Sequence, residues 1–356
     1  MKIAFSLMIH NSTDERVAYQ EAHTLRCVGD DIEIFSAYEL KEKSRKEKTE
    51  WLLQQLLNSK PDVIVCDTPL SVEVAHRAKK IIGKDTRVVY DITEWYPSKK
   101  NIRNFPFYKK LIRVPLLSLA SLWAGFLTDA FLFGEYYKSF PFRYLFFWKP
   151  SLFLAYYASK TSVKKIPPKD SLGKECILYY SGNLTREKGY CRVVSLAKKV
   201  AEKRPSIQFV LRVVSPSVID NKDDQQPNLR VEYLNWMTFP QFCETVGEND
   251  IFLDLRDDDF ENTHCLPIKL FYYMSAGRPM IYSDLKAIHK GVPEFETMGC
   301  LSKPDDESKM ISFILNCVDN SDFYRQHCQN SLNLSFNKYN WENIENQLVK
   351  FIHDGI

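Results

Sequence analysis

The stretch YYSGNLTREKGY (residues 179–190) ends an apolar run on Gly182 and sets two cations, Arg186 and Lys188, before the next helical pattern. A turn of bare backbone amides flanked by cations suits a diphosphate, because free amides at a helix start carry partial positive charge. The stretch holds neither GxGxxG nor GxxxxGKS/T, so it is neither a dinucleotide fingerprint nor an ATPase loop. A glycine turn before a helix is also ordinary structural punctuation, and that reading stays open. A second stretch, LPIKLFYYMSAGRPMIYSD (266–284), reads as a short helix over 268–275, a Gly-Arg-Pro break and a buried strand over 279–283. Pro267 fits a first helical turn, and Lys269 adds a third cation there.

Other residues carry competing readings. Asp257-Asp258-Asp259 contains Asp-x-Asp, a metal-binding pattern elsewhere, but in this loop it reads as a solvated acidic turn. The seven histidines are dispersed, without metal-ligand spacing. Asp91 and Glu94 close a strand and suit either hydroxyl binding and base catalysis or capping of the following loop. Asp14 and Arg16 open a helical pattern, as a helix-start pair or as cleft-facing groups.

These residues need a scaffold, and the chain supplies an alternating one. Strands are predicted over 2–9, 30–36, 62–66, 87–91 and 130–133, with helices over 14–28, 43–58, 70–82 and from 114. A polar segment with a Pro-Pro pair, 161–175, reads as a linker. Alternation then restarts, with strands over 176–180, 207–214, 230–234, 251–255 and 279–283 and helices over 191–202, 240–246 and 268–275. Three helices follow, over 307–318, 322–334 and 341–353. Strand–helix alternation implies parallel sheets covered on both faces. The fold class is α/β: two Rossmann-like parallel-sheet domains, 1–165 and 166–338, expected to face each other across a cleft, with 339–356 returning to the first.

With 45% hydrophobic and 26% charged residues the chain is globular, and its net charge of +3 lacks the basic density of a nucleic-acid binder. Nine scattered cysteines without a CxxC fit reduced thiols rather than a disulfide framework or zinc ribbon. Met1 leads almost directly into a strand, which does not read as a signal peptide. A cytoplasmic protein is expected. One region strains that reading. Residues 114–127 are uncharged and 138–157 interleave aromatic residues with Lys138, Arg143 and Lys149. The uncharged run falls short of the ~20 residues that cross a bilayer. It reads either as an inner helix and strand, or as a surface resting at lipid headgroups.

Several segments together resemble one family. GNLTREKG resembles the turn that opens the nucleotide-binding half of GT-B glycosyltransferases of family 4, and PIKLFYYMSAGRPMIYSD resembles that family's donor-side helix and strand. HNSTDERVAYQEAHTL (10–25), VYDITEWYP (89–97) and the closing YNWENIENQLVKFI are similar to its acceptor-side opening, a cleft-facing strand end and a returning helix. The resemblance implies metal-independent, retaining transfer of a sugar from a UDP- or GDP-sugar to a saccharide or lipid-linked acceptor, in cell-surface polysaccharide synthesis. No cofactor is implied. Arg186 and Lys188 would clamp the leaving diphosphate, with Glu94 the third catalytic candidate. Gly182, Asn183, His264, Pro267, Lys269 and Tyr272 would bind the donor, and Arg16, Asp91 and Thr93 would lie on the acceptor side. Peripheral contact with the inner face of the cytoplasmic membrane would present a lipid-carried acceptor.

The chain departs from the family at informative places. His264 and Tyr272 stand where paired glutamates are expected, Asn183 where arginine is common and Thr93 where histidine is common. A non-catalytic sugar-nucleotide-binding scaffold and a sugar-nucleotide epimerase are the alternative readings.

Overall fold

The computed structural model describes residues 1–83, 85–98, 102–103, 105–217 and 224–355. The chain divides into two compact units, Met1–Tyr156 with Glu342–Ile356, and Tyr157–Trp341.

In the first unit six strands form one sheet: β1 (Lys2–Leu7), β2 (Asp31–Ser36), β3 (Val63–Cys66), β4 (Arg87–Ile92), β5 (Ala130–Phe133) and β6 (Ser151–Phe153). Their order is β2-β1-β3-β4-β5-β6, and every pairing is parallel, with Ile3 opposite both Ile32 and Val63. Crossover helices cover both faces, so VIVC in β3 and AFLF in β5 are buried throughout. Strand order reverses at β1, which has β2 on one side and β3 on the other. Such a switch point opens a crevice at the carboxyl ends of the strands.

The second unit repeats the plan with β7 (Glu175–Ser181), β8 (Gln208–Ser215), β9 (Leu229–Asn235), β10 (Ile251–Asp254), β11 (Met280–Ser283) and β12 (Gly299–Ser302). The order is β12-β11-β10-β7-β8-β9, again parallel, so the switch point lies between β7 and β10. Leu178, Phe209, Leu211, Leu253 and Ile281 form the middle of its core.

Helix boundaries follow local chemistry. Ser44 and Glu47 make a capping box for the Arg45–Ser59 helix, and Thr68 with Ser71 does the same for Pro69–Ile82. The helix expected over 14–28 instead opens with a π-turn, Val17–Glu21, before Ala22–Cys27, and the Ala22 amide bonds to the Val17 carbonyl. The helix expected from residue 114 runs over Phe107–Leu127 with Pro115 inside it. Strands β6 and β12 were not expected. The first has only three residues, and the second begins on a glycine, so neither shows a run long enough to register.

The segment read as a linker is bound along the second unit. Lys165 Nζ donates to the Ser275 carbonyl at 2.7 Å, Arg278 donates to the carbonyls of Ile166 and Pro167, Lys169 pairs with Asp250 at 2.8 Å, and Leu172 is buried. The boundary therefore falls after Tyr156, ahead of the polar run. The closing helix, Glu345–Asp354, joins the first unit, where His353 meets Asp30 at 2.8 Å and Thr24 donates to Glu345.

Candidate active site

At the β7/β10 switch point, β7 ends at Ser181 and the chain turns through 182–189 into the Tyr190–Lys203 helix. Gly189 takes φ +81°, and a Cβ there would lie 2.0 Å from the Leu255 carbonyl oxygen, so the turn is seated directly on the end of β10. A non-glycine residue meets both a strained backbone and a backbone clash. Beneath the turn the Tyr180 hydroxyl donates to the Asn183 carbonyl at 2.7 Å and approaches the Lys188 carbonyl at 3.2 Å. The Asp257 amide bonds to the Glu187 carbonyl at 2.9 Å. The turn is thus held from below by strand-end groups.

The cations arrive from separate elements. Lys188 Nζ reaches Asn262 Oδ1 at 3.3 Å, and Lys269 Nζ donates to the Ser181 carbonyl while lying 6.0 Å from the Trp236 ring. Arg186 is exposed and, among the described residues, makes no ion pair. The structure therefore brings Gly182, Asn183, Lys188 and Lys269 to one switch point, with Arg186 on the rim. Arg256, at the end of β10, escaped notice in the sequence. It is held by Asp254 at 2.8 Å, and despite burial that carboxylate keeps its guanidinium firmly charged.

Pro267 precedes a helix that begins one residue later than expected. The helix spans only Lys269–Ser275, so its dipole is short. Tyr272 is 3% exposed, with its ring against Phe239 and Phe242, because this helix is buried on nearly every side. His264 caps the short Phe260–Thr263 helix, its Nδ1 lies 2.7 Å from the Phe260 carbonyl, and its ring lies 4.5 Å from that of Phe260. The acidic turn is engaged in local structure. Asp257 pairs with Arg192 at 2.5 Å, and Asp259 accepts the amides of Glu261 and Asn262. Asn262, missed in the sequence, thereby links this cap to Lys188.

The first unit's switch point is built differently. The Asp67 carboxylate, just past β3, accepts the amides of Met8, Ile9 and His10 at 2.9, 3.0 and 3.3 Å, plus Ser71 Oγ and His10 Nδ1, each at 3.1 Å. Burial works against its ionisation, but the His10 contact and these amides outweigh it and hold Asp67 below the usual carboxylate range. Neither Asp67 nor its partner His10 was singled out in the sequence. The available signal was a carboxylate directly after an apolar strand.

Beside it, Arg16 donates to Asp91 and, at 2.8 Å, to Glu21. The π-turn makes this possible by placing residues five apart on one face. The expected acceptor-side pair does come together, but as a buried ion pair: Arg16 is 5% and Asp91 3% exposed. The cluster is incompletely satisfied: Arg16 Nη2 and Glu21 Oε2 are buried without a hydrogen-bond partner among the described residues. Burial pushes the Glu21 carboxyl up to about 8, with Arg16 opposing and Asp91 reinforcing the shift. Thr93 is buried with its hydroxyl unpartnered among the described residues, and Glu94, one residue on, is half-buried.

No protein-family model matches the sequence, and no curated protein matches it either. Solved structures do match in shape. Sucrose-phosphate synthase from Thermosynechococcus elongatus superposes with a TM-score of 0.68 at 13% identity, over 99% of this chain and 98% of that one. Anabaena HepE in complex with UDP-glucose gives 0.68 at 12%, covering 99% of both chains. WaaG, a glycosyltransferase involved in lipopolysaccharide biosynthesis, gives 0.67 at 12%, covering all of both. The chain has the GT-B fold over its whole length.

Proposed function

We propose that the protein is a glycosyltransferase whose second unit takes a nucleotide-diphosphate sugar. One observation carries this reading: the turn at the β7/β10 switch point is seated by backbone and phenol contacts and flanked by Lys188 and Lys269. A diphosphate gathers negative charge as its bond to the sugar breaks, and fixed cations stabilise that charge where it develops. Arg186 and Lys188 act on the leaving group. Lys269, tied to Ser181, holds the turn against its helix. Gly182 and Asn183 carry the backbone nearest the ligand, and His264 and Pro267 line the approach to it. Whole-chain likeness to glycosyltransferases, one of them solved with UDP-glucose, supports the donor class.

The first unit takes the saccharide or lipid-linked acceptor, with Glu94 as its reactive carboxylate and Thr93 beside it. Arg16 and Asp91 hold the wall behind them. Transfer is metal-independent and retains the anomeric configuration, and it serves polysaccharide synthesis on the cytoplasmic side of the cell.

The test is a thermal-shift panel of UDP, GDP and their sugars, followed by product formation with the stabilising donor. Arg186→Ala and Lys188→Ala should each lower turnover by about 10²–10³ while the unfolding midpoint stays at the wild-type value. If no nucleotide or nucleotide sugar raises the midpoint, the donor assignment is wrong. A second reading, a binding subunit without turnover, draws on His264 and Tyr272 standing where the resembled family carries carboxylates. It predicts stabilisation by a nucleotide sugar but no product.

A further inference from the structure

The Phe107–Leu127 helix is turned inside out for a water-facing element. Its buried residues are the small Ser121, Ala124 and Gly125, and a Cβ on Gly125 would lie 2.5 Å from the Phe146 ring. Its large residues point outward: Tyr108, Ile112, Leu116, Leu119, Trp123 and Phe126 recur every three or four positions and are all exposed. That is the spacing of one helical face. Only 17% of the helix's most apolar window is buried.

The stripe continues into the next segment. The rings of Phe126 and Phe146 are 4.9 Å apart and those of Phe146 and Trp148 are 5.7 Å apart, which leads to exposed Phe140, Tyr144, Phe147 and Trp148. An apolar surface of this continuity marks a binding face rather than ordinary surface scatter.

Charge says what the face binds. Between Glu94 and Asp129 the sequence carries six cations and no carboxylate, against a net charge of only +3 for the whole chain. Lys109 and Arg113 are exposed at the start of the helix, and the Arg143 guanidinium stacks over Tyr136 and Tyr144 at 4.2 and 4.5 Å. Apolar side chains at the centre, Trp and Tyr among them, with Lys109, Arg113 and Arg143 making no ion pair among the described residues, are the composition of a face that sits in a headgroup layer.

We infer that this face docks the first unit onto an anionic lipid surface, with the Phe107–Leu127 helix lying in the plane of the interface. At about 1.5 Å per residue its 21 residues could cross a bilayer. Its inner side, however, is packed and its end is fastened. Lys149 Nζ donates to the carbonyls of Gly125 and Phe126, each at 2.9 Å, and Thr128 bonds to Val88 of β4 immediately before β5 begins. Crossing would pull the helix off the sheet that it completes. Docking stands apart from the donor chemistry: it requires neither a nucleotide nor turnover.

The test is flotation of the full chain with vesicles of phosphatidylglycerol and phosphatidylcholine, beside vesicles of phosphatidylcholine alone. The chain should float with the anionic vesicles at low salt, leave them at high salt, and show a blue shift of tryptophan emission. Leu119→Glu with Trp123→Glu should abolish flotation. Arg113→Glu should weaken it by about fivefold or more, the value of one cation at an anionic surface. Ile81→Glu, on the exposed side of another helix, should float like wild type. Circular dichroism and an unchanged unfolding midpoint show that the variants fold. Failure of the wild type to float overturns the inference, as does equal flotation of the double variant. So does a stable dimer that the double variant dissolves, since a second copy would then cover the face, and so does resistance to alkaline carbonate, which would mean that the helix spans.

Discussion

At the β1/β3 switch point three amides converge on the Asp67 carboxylate, whereas at β7/β10 the corresponding turn is held by a phenol and by backbone, with cations beside it. Parallel sheets of similar order have opened the same kind of crevice twice. In one the protein supplies its own anion, and in the other positive groups line the crevice. The topology therefore assigns no ligand by itself. The side chains at each crevice set its charge, an engaged carboxylate in the first unit and two lysines in the second.

The comparison is most exposed to failure at Asp67. Asp67→Ala removes a buried carboxylate and strands three part-buried amides, and should cost about 3–5 kcal/mol, the range for breaking a buried charged network. Denaturant unfolding would measure it, and a loss below about 1 kcal/mol would mean that the carboxylate is incidental. A smaller effect sharpens the picture of the first unit's charge cluster. The Glu21 carboxyl moves from 4.5 to about 8 through burial, opposed by Arg16 and reinforced by Asp91. A raised folded-state value means that the native state keeps a proton which the unfolded chain releases. Stability should then fall as pH rises from about 4.5 to about 8. Glu21→Gln should flatten that slope. His10 adds a decline of the same sign above its usual 6.5, since burial lowers its affinity for a proton but Asp67 more than restores it. The variant, compared with wild type across pH, isolates Glu21. Smallest of all, Asn262→Ala removes the bonds to Lys188 and to Asp259 and should cost about 1–2 kcal/mol. Its clearer signature should be weaker donor affinity by titration, as Lys188 loses its tether.

Much of the scaffold was legible because core strands leave a local record. AFLF between Asp129 and Gly134 defines β5 to the residue, and the turn from Gly182 to Gly189 shows its glycines and cations in one short stretch. The charged cluster of the first unit left no such record. Asp67 draws its meaning from amides nearly sixty positions upstream, and the partnership of Arg16 with Glu21 depends on a π-turn that regular helical periodicity does not register. Tyr272 was misleading for a related reason. Resemblance at the level of sequence aligned it with a ligand-binding position, while packing against Phe239 and Phe242 buries its ring.

The return of Glu345–Asp354 to the first unit makes the second an insertion within the first. During synthesis, Met1–Tyr156 emerge long before Leu348 and Ile352, which are fully buried in the finished protein. The nascent sheet must wait, with that apolar seat uncovered, until the whole of the later unit has been made. Truncating a handful of residues at the carboxyl end would leave the half that was translated first permanently unfinished.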